Sequence, residues 1–548
     1  DGTIINDGSG ASTVTLRDGT VISYALISSE HDYCTDEGCF EHQFPTSVTY
    51  PNGLVVKLNY RVESRYVRLQ SVTNSAGYQI KFTYQSNAAA TTTGWDKRTS
   101  AIAVNNGVEY CDPNADTCTL SGNWPTVSYP STSGGKTITD PLNRSTRYSG
   151  SGSTFLIKTP GSTSDNIQYA LAYILDPDSL QHYWRTTSAN LGVGTWSYSY
   201  VESSGSTVRT VTATDPATKA TVFTSTGSID GRVLDSVKDP LYRTVSFDYS
   251  CAGTYAGGAR YFNGGVYSAT SPEGNTVART CDSRGNVLTT TYKVKPGSGL
   301  TNIPTSATYP ACGSSNRKTC NQPTVTVDGR GSQTTYTYDS LNRHGGVLTQ
   351  TLPADANGVH PKKIYEYDQY TEYVRNAAGT LVPAATSVWM LKKISECRTT
   401  ASCTGSADEV VTSFEYGTAG ANRLLLRGVV VTSGGVSLRT CYAYDAIGNR
   451  ISVTTPRANL ASCPNTPPTT AMPFTTSSRY DAARQLVGVI YPSAGAGHES
   501  IRNTYDLEGR VITVERGSLA AWKSDTVAPV SWSGFSGLDV TSRTYDVA

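Results

Sequence analysis

The stretch Tyr505-Asp506-Leu507-Glu508-Gly509-Arg510-Val511 decides how this chain folds, because it returns in altered form along the sequence. A second copy reads Tyr444-Asp445-Ala446-Ile447-Gly448-Asn449-Arg450-Ile451. Looser copies are Tyr338-Asp339-Ser340-Leu341-Asn342-Arg343, Tyr480-Asp481-Ala482-Ala483-Arg484 and Cys281-Asp282-Ser283-Arg284-Gly285-Asn286-Val287. Recurrence every few dozen residues marks a repeat architecture. It also moves the expectation from catalysis towards structure, containment or adhesion.

Each copy reads as one β-hairpin. The approach strand alternates, as in Thr335-Tyr336-Thr337-Tyr338, so Tyr336 and Tyr338 share a face. The aspartate that follows can cap the turn by accepting backbone N–H bonds. Gly or Asn two to four residues later tolerates the positive φ of tight turns. The departing strand is β-branched, as in Val511-Ile512-Thr513-Val514. Arg510 or Arg450, just past the turn, is placed to lie across a tyrosine or pair with an aspartate.

Other segments keep this logic with different letters: Asp140-Pro141-Leu142-Asn143-Arg144, Asp239-Pro240-Leu241-Tyr242-Arg243, Tyr50-Pro51-Asn52-Gly53-Leu54 and Asn74-Ser75-Ala76-Gly77-Tyr78. Tyr444, Tyr480, Tyr505 and Tyr545 are unevenly spaced, which suits hairpins of varying length in one sheet better than equal solenoid rungs. The motifs resemble the YD-repeat or RHS family, whose members include bacterial polymorphic toxin shells, C components of insecticidal toxin complexes and teneurin-like shells. The resemblance covers most of the chain, most clearly from about residue 240 onward. It implies a long β-sheet spiralling into a hollow shell, often closed around a cargo polypeptide. Toxin-type members typically end the shell in an Asp-Pro-x-Gly self-cleavage motif, and none of the five Asp-Pro pairs here has Gly at the fourth position.

The expected fold is therefore all-β, a long array of antiparallel hairpins forming a spiralling hollow shell or elongated body with very little helix. Residues 1–130 read as an N-terminal β region with divergent repeats, and 131–548 as the repeat body continuous with it. Composition agrees, with 50 Gly, 35 Tyr and only 2 Met among 548 residues. Net charge is +1 from 45 basic and 44 acidic side chains, so nothing drives the chain towards nucleic acid. No apolar run is long enough for a membrane-spanning helix. Asp1 cannot be a translation start and the C-terminus falls inside a copy of the motif, so the chain reads as a piece truncated at both ends. Joining Val547-Ala548 to Asp1-Gly2 would complete a unit, which raises head-to-tail assembly into fibres beside the plainer reading of coincidence.

Twelve cysteines are expected to form six disulfides. Cys34 and Cys39, Cys111 and Cys118, Cys312 and Cys320, and Cys397 and Cys403 are close pairs. Cys251 with Cys281 and Cys441 with Cys463 most simply complete the set, though sequence leaves connectivity open. Persisting disulfides imply an oxidising compartment, extracellular or at the cell surface. The segment His31 to His42 has H-x2-C-x4-C-x2-H spacing that could wrap zinc, but a disulfide flanked by histidines is the better reading. Asp112, Asn114 and Asp116 have the alternate oxygen spacing of calcium loops, without the sharp-turn Gly or a downstream Glu. A disulfide-closed polar loop is favoured there.

His182, His344, His360 and His498 sit in unrelated contexts, and no nucleophile elbow or phosphate-binding loop is present. The expectation is no enzyme, no cofactor, no metal and no catalytic residue. Scattered tyrosines and tryptophans read as cross-strand ladders rather than a sugar platform. The leading function is a secreted or cell-surface, disulfide-stabilised structural protein that forms a shell or fibre and contacts surfaces, cells or partner subunits. The alternatives are the encapsulating shell of a polymorphic toxin and, more weakly, a carbohydrate-binding protein. Partners expected on these readings are further copies of the chain, an encapsulated polypeptide, or surface glycans.

Overall fold

Strands of the main sheet hydrogen-bond antiparallel to their neighbours in sequence, except that Thr126–Ser128 and Ser131–Thr132 both pair with Gly135–Thr139, so the chain folds as one continuous meander. The computed structural model describes residues 3–6, 11–27, 33–35, 38–40, 43–63, 66–132, 135–175, 182–202, 208–227, 233–249, 266–397, 399–418, 420–493, 495 and 497–545. Among these residues the main sheet has 38 strands, from Thr3–Asn6 to Phe535–Ser542. Two small ribbons stand apart, Tyr33–Thr35 with Gly38–Phe40 and Tyr373–Arg375 with Leu381–Pro383. The helical content among them is three single 3-10 turns, at Ser314–Asn316, Pro456–Ala458 and Pro529–Ser531. No helix among the described residues is long and apolar enough to cross a membrane. The expected all-β array is what the chain adopts. The suggested junction of Val547-Ala548 with Asp1-Gly2 lies outside the described residues.

The sheet is a wall one layer thick. A sheet with one sealed face alternates buried and exposed residues, yet Ala11–Thr15, Val21–Leu26 and Glu409–Tyr416 are half-buried at every position. Accessible surface tells the same story. A compact monomer of this mass would expose about 19,000 Å², whereas this chain exposes 29,616 Å². Both faces are therefore partly open along such strands, whereas Thr475–Tyr480 and Leu486–Ser493 alternate and bury one face. A conventional apolar core forms near the C-terminal end, where Ile490, Leu519 and Trp532 pack with Trp522, Val527 and Phe535.

The wall coils and meets itself edge to edge. Contacts between distant turns advance along both partners, except that the 371–387 loop reaches forward to Asn106 and Val108. Arg17 bonds Asn286, Lys318 bonds the Pro51 carbonyl, and the Trp389 amide donates to Asn52. Further on, Tyr78 bonds Asn422, the Arg375 amide donates to Asn106, and Arg144 bonds Gln485. The side-chain bonds of this seam span 267 to 362 residues of sequence. Each coil contributes alternate turns, hence a single edge of the ribbon. Following the meander shows that the edge offered by the second coil is opposite to the one offered by the first, which is the geometry of a helical ribbon. This is the spiral expected from sequence.

Candidate functional site: turns, bulges and the seam

The aspartate of each repeat ties its turn in a fixed pattern. Asp506 Oδ1 accepts the amides of Glu508 and Arg510 at 2.9 and 2.8 Å, and Oδ2 accepts Arg510 Nε at 2.7 Å. Asp140 with Arg144 and Asp239 with Arg243 repeat it. The third residue after the aspartate is left-handed, as Gly509, Gly448, Gly285 and Asn342 show. The loose copy at Tyr480 places its arginine off the capping position, and Arg450 takes only the tyrosine of its two expected partners. Arg484 occupies the left-handed position itself at φ 64° and bonds Asn449, while Gln485 donates the capping amide to Asp481. Arg450 lies one residue too far to reach Asp445, which is bridged by Asn449 instead, and its guanidinium rests over Tyr442 at 5.5 Å. Arg510 does both expected things, pairing with Asp506 and covering the Tyr545 ring at 4.8 Å.

The tyrosine before the aspartate has a use that sequence reasoning missed. Strand pairing slips by one residue at the end of the Cys281, Tyr338, Tyr444, Tyr480 and Tyr505 hairpins: Tyr444 faces Arg450 while Ala443 faces Ser452. Such a bulge leaves a ladder carbonyl free. The next repeat's tyrosine fills it. Tyr416 donates to Leu391, Tyr444 to Leu426, Tyr480 to Arg450, Tyr505 to Leu486 and Tyr545 to Val511, at 2.7–3.2 Å. Tyr60, Tyr84 and Tyr200 do the same for Pro45, Leu69 and Thr186. Leu426, Arg450, Leu486 and Val511 sit opposite Tyr416, Tyr444, Tyr480 and Tyr505 of the previous repeat, so these successive hairpins are chained phenol to bulge. Burial raises the phenol pKa at Tyr416 to about 12. The available signal was tyrosine at a fixed place before every turn, but the acceptor depends on register.

At the middle of the seam the two coils share a buried polar cluster. Tyr78 Oη donates to Asn422 Oδ1 at 2.7 Å, and Asn105 Nδ2 donates to the same oxygen and to the Ala446 carbonyl. Asn422 Nδ2 completes it by donating to the Asp445 carbonyl. Buried polar groups of this kind fix one arrangement because any other leaves them unpaired. Glu372, 1% exposed, accepts the amides of Tyr373, Arg423 and Leu424 beside it.

The calcium alternative for Asp112, Asn114 and Asp116 is not what the loop does. Asp112 caps Asn114, and Asp116 is taken by Arg61, Arg68 and Gln70. The carbonyls of Asp112, Pro113 and Ala115 converge on the ammonium of Lys81, a side chain with no exposed surface. A lysine thus supplies the cation, and burial pulls its pKa down to about 8. Of the other candidates, the segment from His31 to His42 falls largely outside the described residues and its side chains are not described. Cys397, Cys403 and Asp408 lie close enough to hold a metal, but the two sulfurs are bonded to each other and Asp408 accepts from Thr399 and Thr400.

Disulfides join Cys111 to Cys118, Cys312 to Cys320, Cys397 to Cys403 and Cys441 to Cys463. Cys281 is also disulfide-bonded, while Cys251 lies outside the described residues. Cys34 and Cys39 face each other across their ribbon. Among the described side chains, His344, His360 and His498 are not brought together. His344 stacks on Tyr367 at 4.2 Å, and His360 and His498 bond backbone carbonyls. Outside the core, aromatics also gather along a strip of Tyr148, Phe155 and Tyr169, then Tyr173 and Trp184, the last two half-exposed. The sequence reading of uniformly scattered rings overlooked it, because strand pairing assembles the strip.

One motif carboxylate carries a pH dependence. Asp339 is 1% exposed. Burial works to raise its pKa, but the amides of His344 and Arg343 and the Arg343 guanidinium outweigh it and hold it at about 2. A folded-state pKa below the unfolded one stabilises the fold above the unfolded value near 4, and that stability is lost as pH falls towards 2. The contribution is about 2 kcal/mol. Asp339→Asn should lose it at neutral pH and flatten the acid limb of a stability profile between pH 4 and 2. An unchanged acid limb would sink this assignment.

No family profile matches the chain, and no curated protein matches it. Among solved structures, the chain is similar to TcdB2-TccC3 without its hypervariable C-terminal region, at 11% identity and TM-score 0.39, covering 97% of this chain and 24% of that one. It is similar to TcdB2-TccC3 at 11% identity and TM-score 0.38, covering 97% and 26%. It is also similar to the Photorhabdus luminescens Tc holotoxin pore, at 11% identity and TM-score 0.37, covering 96% and 26%. The chain spans about a quarter of the length of these structures' chains.

Proposed function

We propose that this chain is a stretch of wall from an extracytoplasmic β-shell, structural rather than catalytic, whose coils surround a space that holds a polypeptide cargo. The observation that carries the reading is the seam. Turns of one coil dock in order on turns of the next, which closes a single-layer ribbon laterally and leaves both faces partly open. A wall needs such closure, because open strand edges would invite pairing with other chains. Disulfides within loops suit an oxidising compartment and resist unravelling of the turns. Small-angle scattering of the non-reduced protein tests the reading. A compact domain of this length would have a radius of gyration near 24 Å, and a coiled wall around open space should be clearly larger with a depleted centre. A value near 24 Å would contradict the shell.

Glycan binding is a second reading, supported by the exposed aromatic strip at Tyr173 and Trp184. Trp184→Ala should abolish retention on a glycan array if the strip stacks on sugar rings. Retention of the variant equal to the parent would dismiss it.

A further inference from the structure

Where the seam begins, the two coils leave a cavity of about 380 Å³ between them. That lies in the size range of small-molecule sites, about 300–1,000 Å³. Its lining includes three arginines and no carboxylate. Arg17 comes from the first coil, and Arg284 and Arg317 from the second. Each reaches the cavity for a different local reason.

Arg284 stands two residues after its aspartate instead of four, because Asn286 has taken the usual capping place. Its Nη2 still pairs with Asp282 at 2.8 Å, while Nη1 turns across to the Cys320 carbonyl at 3.0 Å on the disulfide floor. Arg17 crosses the seam with Nη2 on Asn286 Oδ1 at 2.7 Å, and its other guanidinium nitrogens have no protein acceptor among the described residues. Arg317, half-buried just past the 3-10 turn Ser314–Asn316, has no side-chain acceptor among the described residues. Ser314 and Asn321 add polar edges and Leu16 an apolar one.

Asp282 offsets one of the three guanidinium charges, and the two left over, Arg17 and Arg317, focus a positive field in the cleft. Their planar forks fit the paired oxygens of carboxylate, sulfate or phosphate. We propose that the cavity between Arg17, Arg284 and Arg317 is an oxyanion site, taking a carboxylate, sulfate or phosphate group either free or carried on a small sugar. The site exists only when the coils are in register, so its ligand would bridge them.

Titration calorimetry on the intact, non-reduced protein at low ionic strength tests this with four probes: sodium sulfate, sodium phosphate, glucuronic acid and a sulfated N-acetylglucosamine. Saturable binding of at least one probe is expected, weakened roughly tenfold by Arg317→Gln, as loss of a charge-assisted bond requires. Arg317 holds nothing else in place, so the variant should fold. Arg330→Gln, at an exposed turn that does not line the cavity, should bind like the parent. Tighter binding of the sugars assigns the saccharide source, and equal or tighter binding of inorganic ions assigns the free anion. Absence of saturable binding by all four probes would overturn the proposal. So would parental affinity in Arg317→Gln, or an equal loss in Arg330→Gln.

Discussion

Asp116→Ala is expected to lower the opening free energy of residues 66–118, read by hydrogen exchange, by about 3 kcal/mol or more. Asp116 is the acid that Arg68 meets at 2.8 Å, and Arg68 is only 4% exposed. The same carboxylate holds Arg61 and the fully buried Gln70. Removing it leaves a buried guanidinium with carbonyls at Ser86 and Trp95 and the rings of Tyr84 and Trp95, but no carboxylate in contact. Breaking one side of a buried pair costs more than the pair is worth, because the remaining charge stays desolvated. Asp116→Asn should fall between parent and alanine variant, since it keeps the acceptor and loses the charge. A change below about 0.5 kcal/mol for Asp116→Ala, the size of an ordinary surface substitution, would mean Arg68 is not dependent on this acid.

The second large effect is expected at the seam. Gly448 adopts φ 87°, and a Cβ there would lie 2.4 Å from the hydroxyl of Tyr78 in the other coil. Gly448→Val combines a β-branched residue in a left-handed conformation with a clash across the seam, and should cost about 3 kcal/mol or more. Exchange should rise at Asn105, Asn422 and Ala446 together, since they share one hydrogen-bond cluster. Tyr78→Ala removes the obstacle, so the double variant should lose less than the sum of the two singles. Strict additivity would mean that the two turns do not touch.

Much of this was legible in the residues and some was not. Asp506, Gly509 and Arg510 announce their turn locally, because an aspartate, a residue free to take positive φ and an arginine within five positions complete one hydrogen-bonded unit. The close cysteine pairs are local in the same sense. The tyrosine hydroxyls were not readable, since which carbonyl a bulge frees depends on a one-residue slip in pairing between strands. Lys81 was hidden for another reason: a lysine in an alternating strand reads as solvated, and only the folded 111–118 loop supplies the carbonyls that hold it. Arg484 and Arg450 show the cost of reading a degenerate motif by residue type, as a one-residue deletion or insertion moves the arginine off the capping position. The seam is the least local feature of all. Its partners lie hundreds of residues apart, and no short-range pattern records that Gly161 will meet Leu507.

That contact gives the most direct test that the sheet coils onto itself. Leu507 is exposed, and its Cδ1 lies against Gly161 in the preceding coil. A photo-cross-linking amino acid placed at residue 507, activated in dilute monomeric protein and mapped by mass spectrometry, should join the peptide containing Gly161 within the same chain. Cross-links confined to the neighbouring repeats, with none to the Gly161 peptide, would contradict the coiled wall.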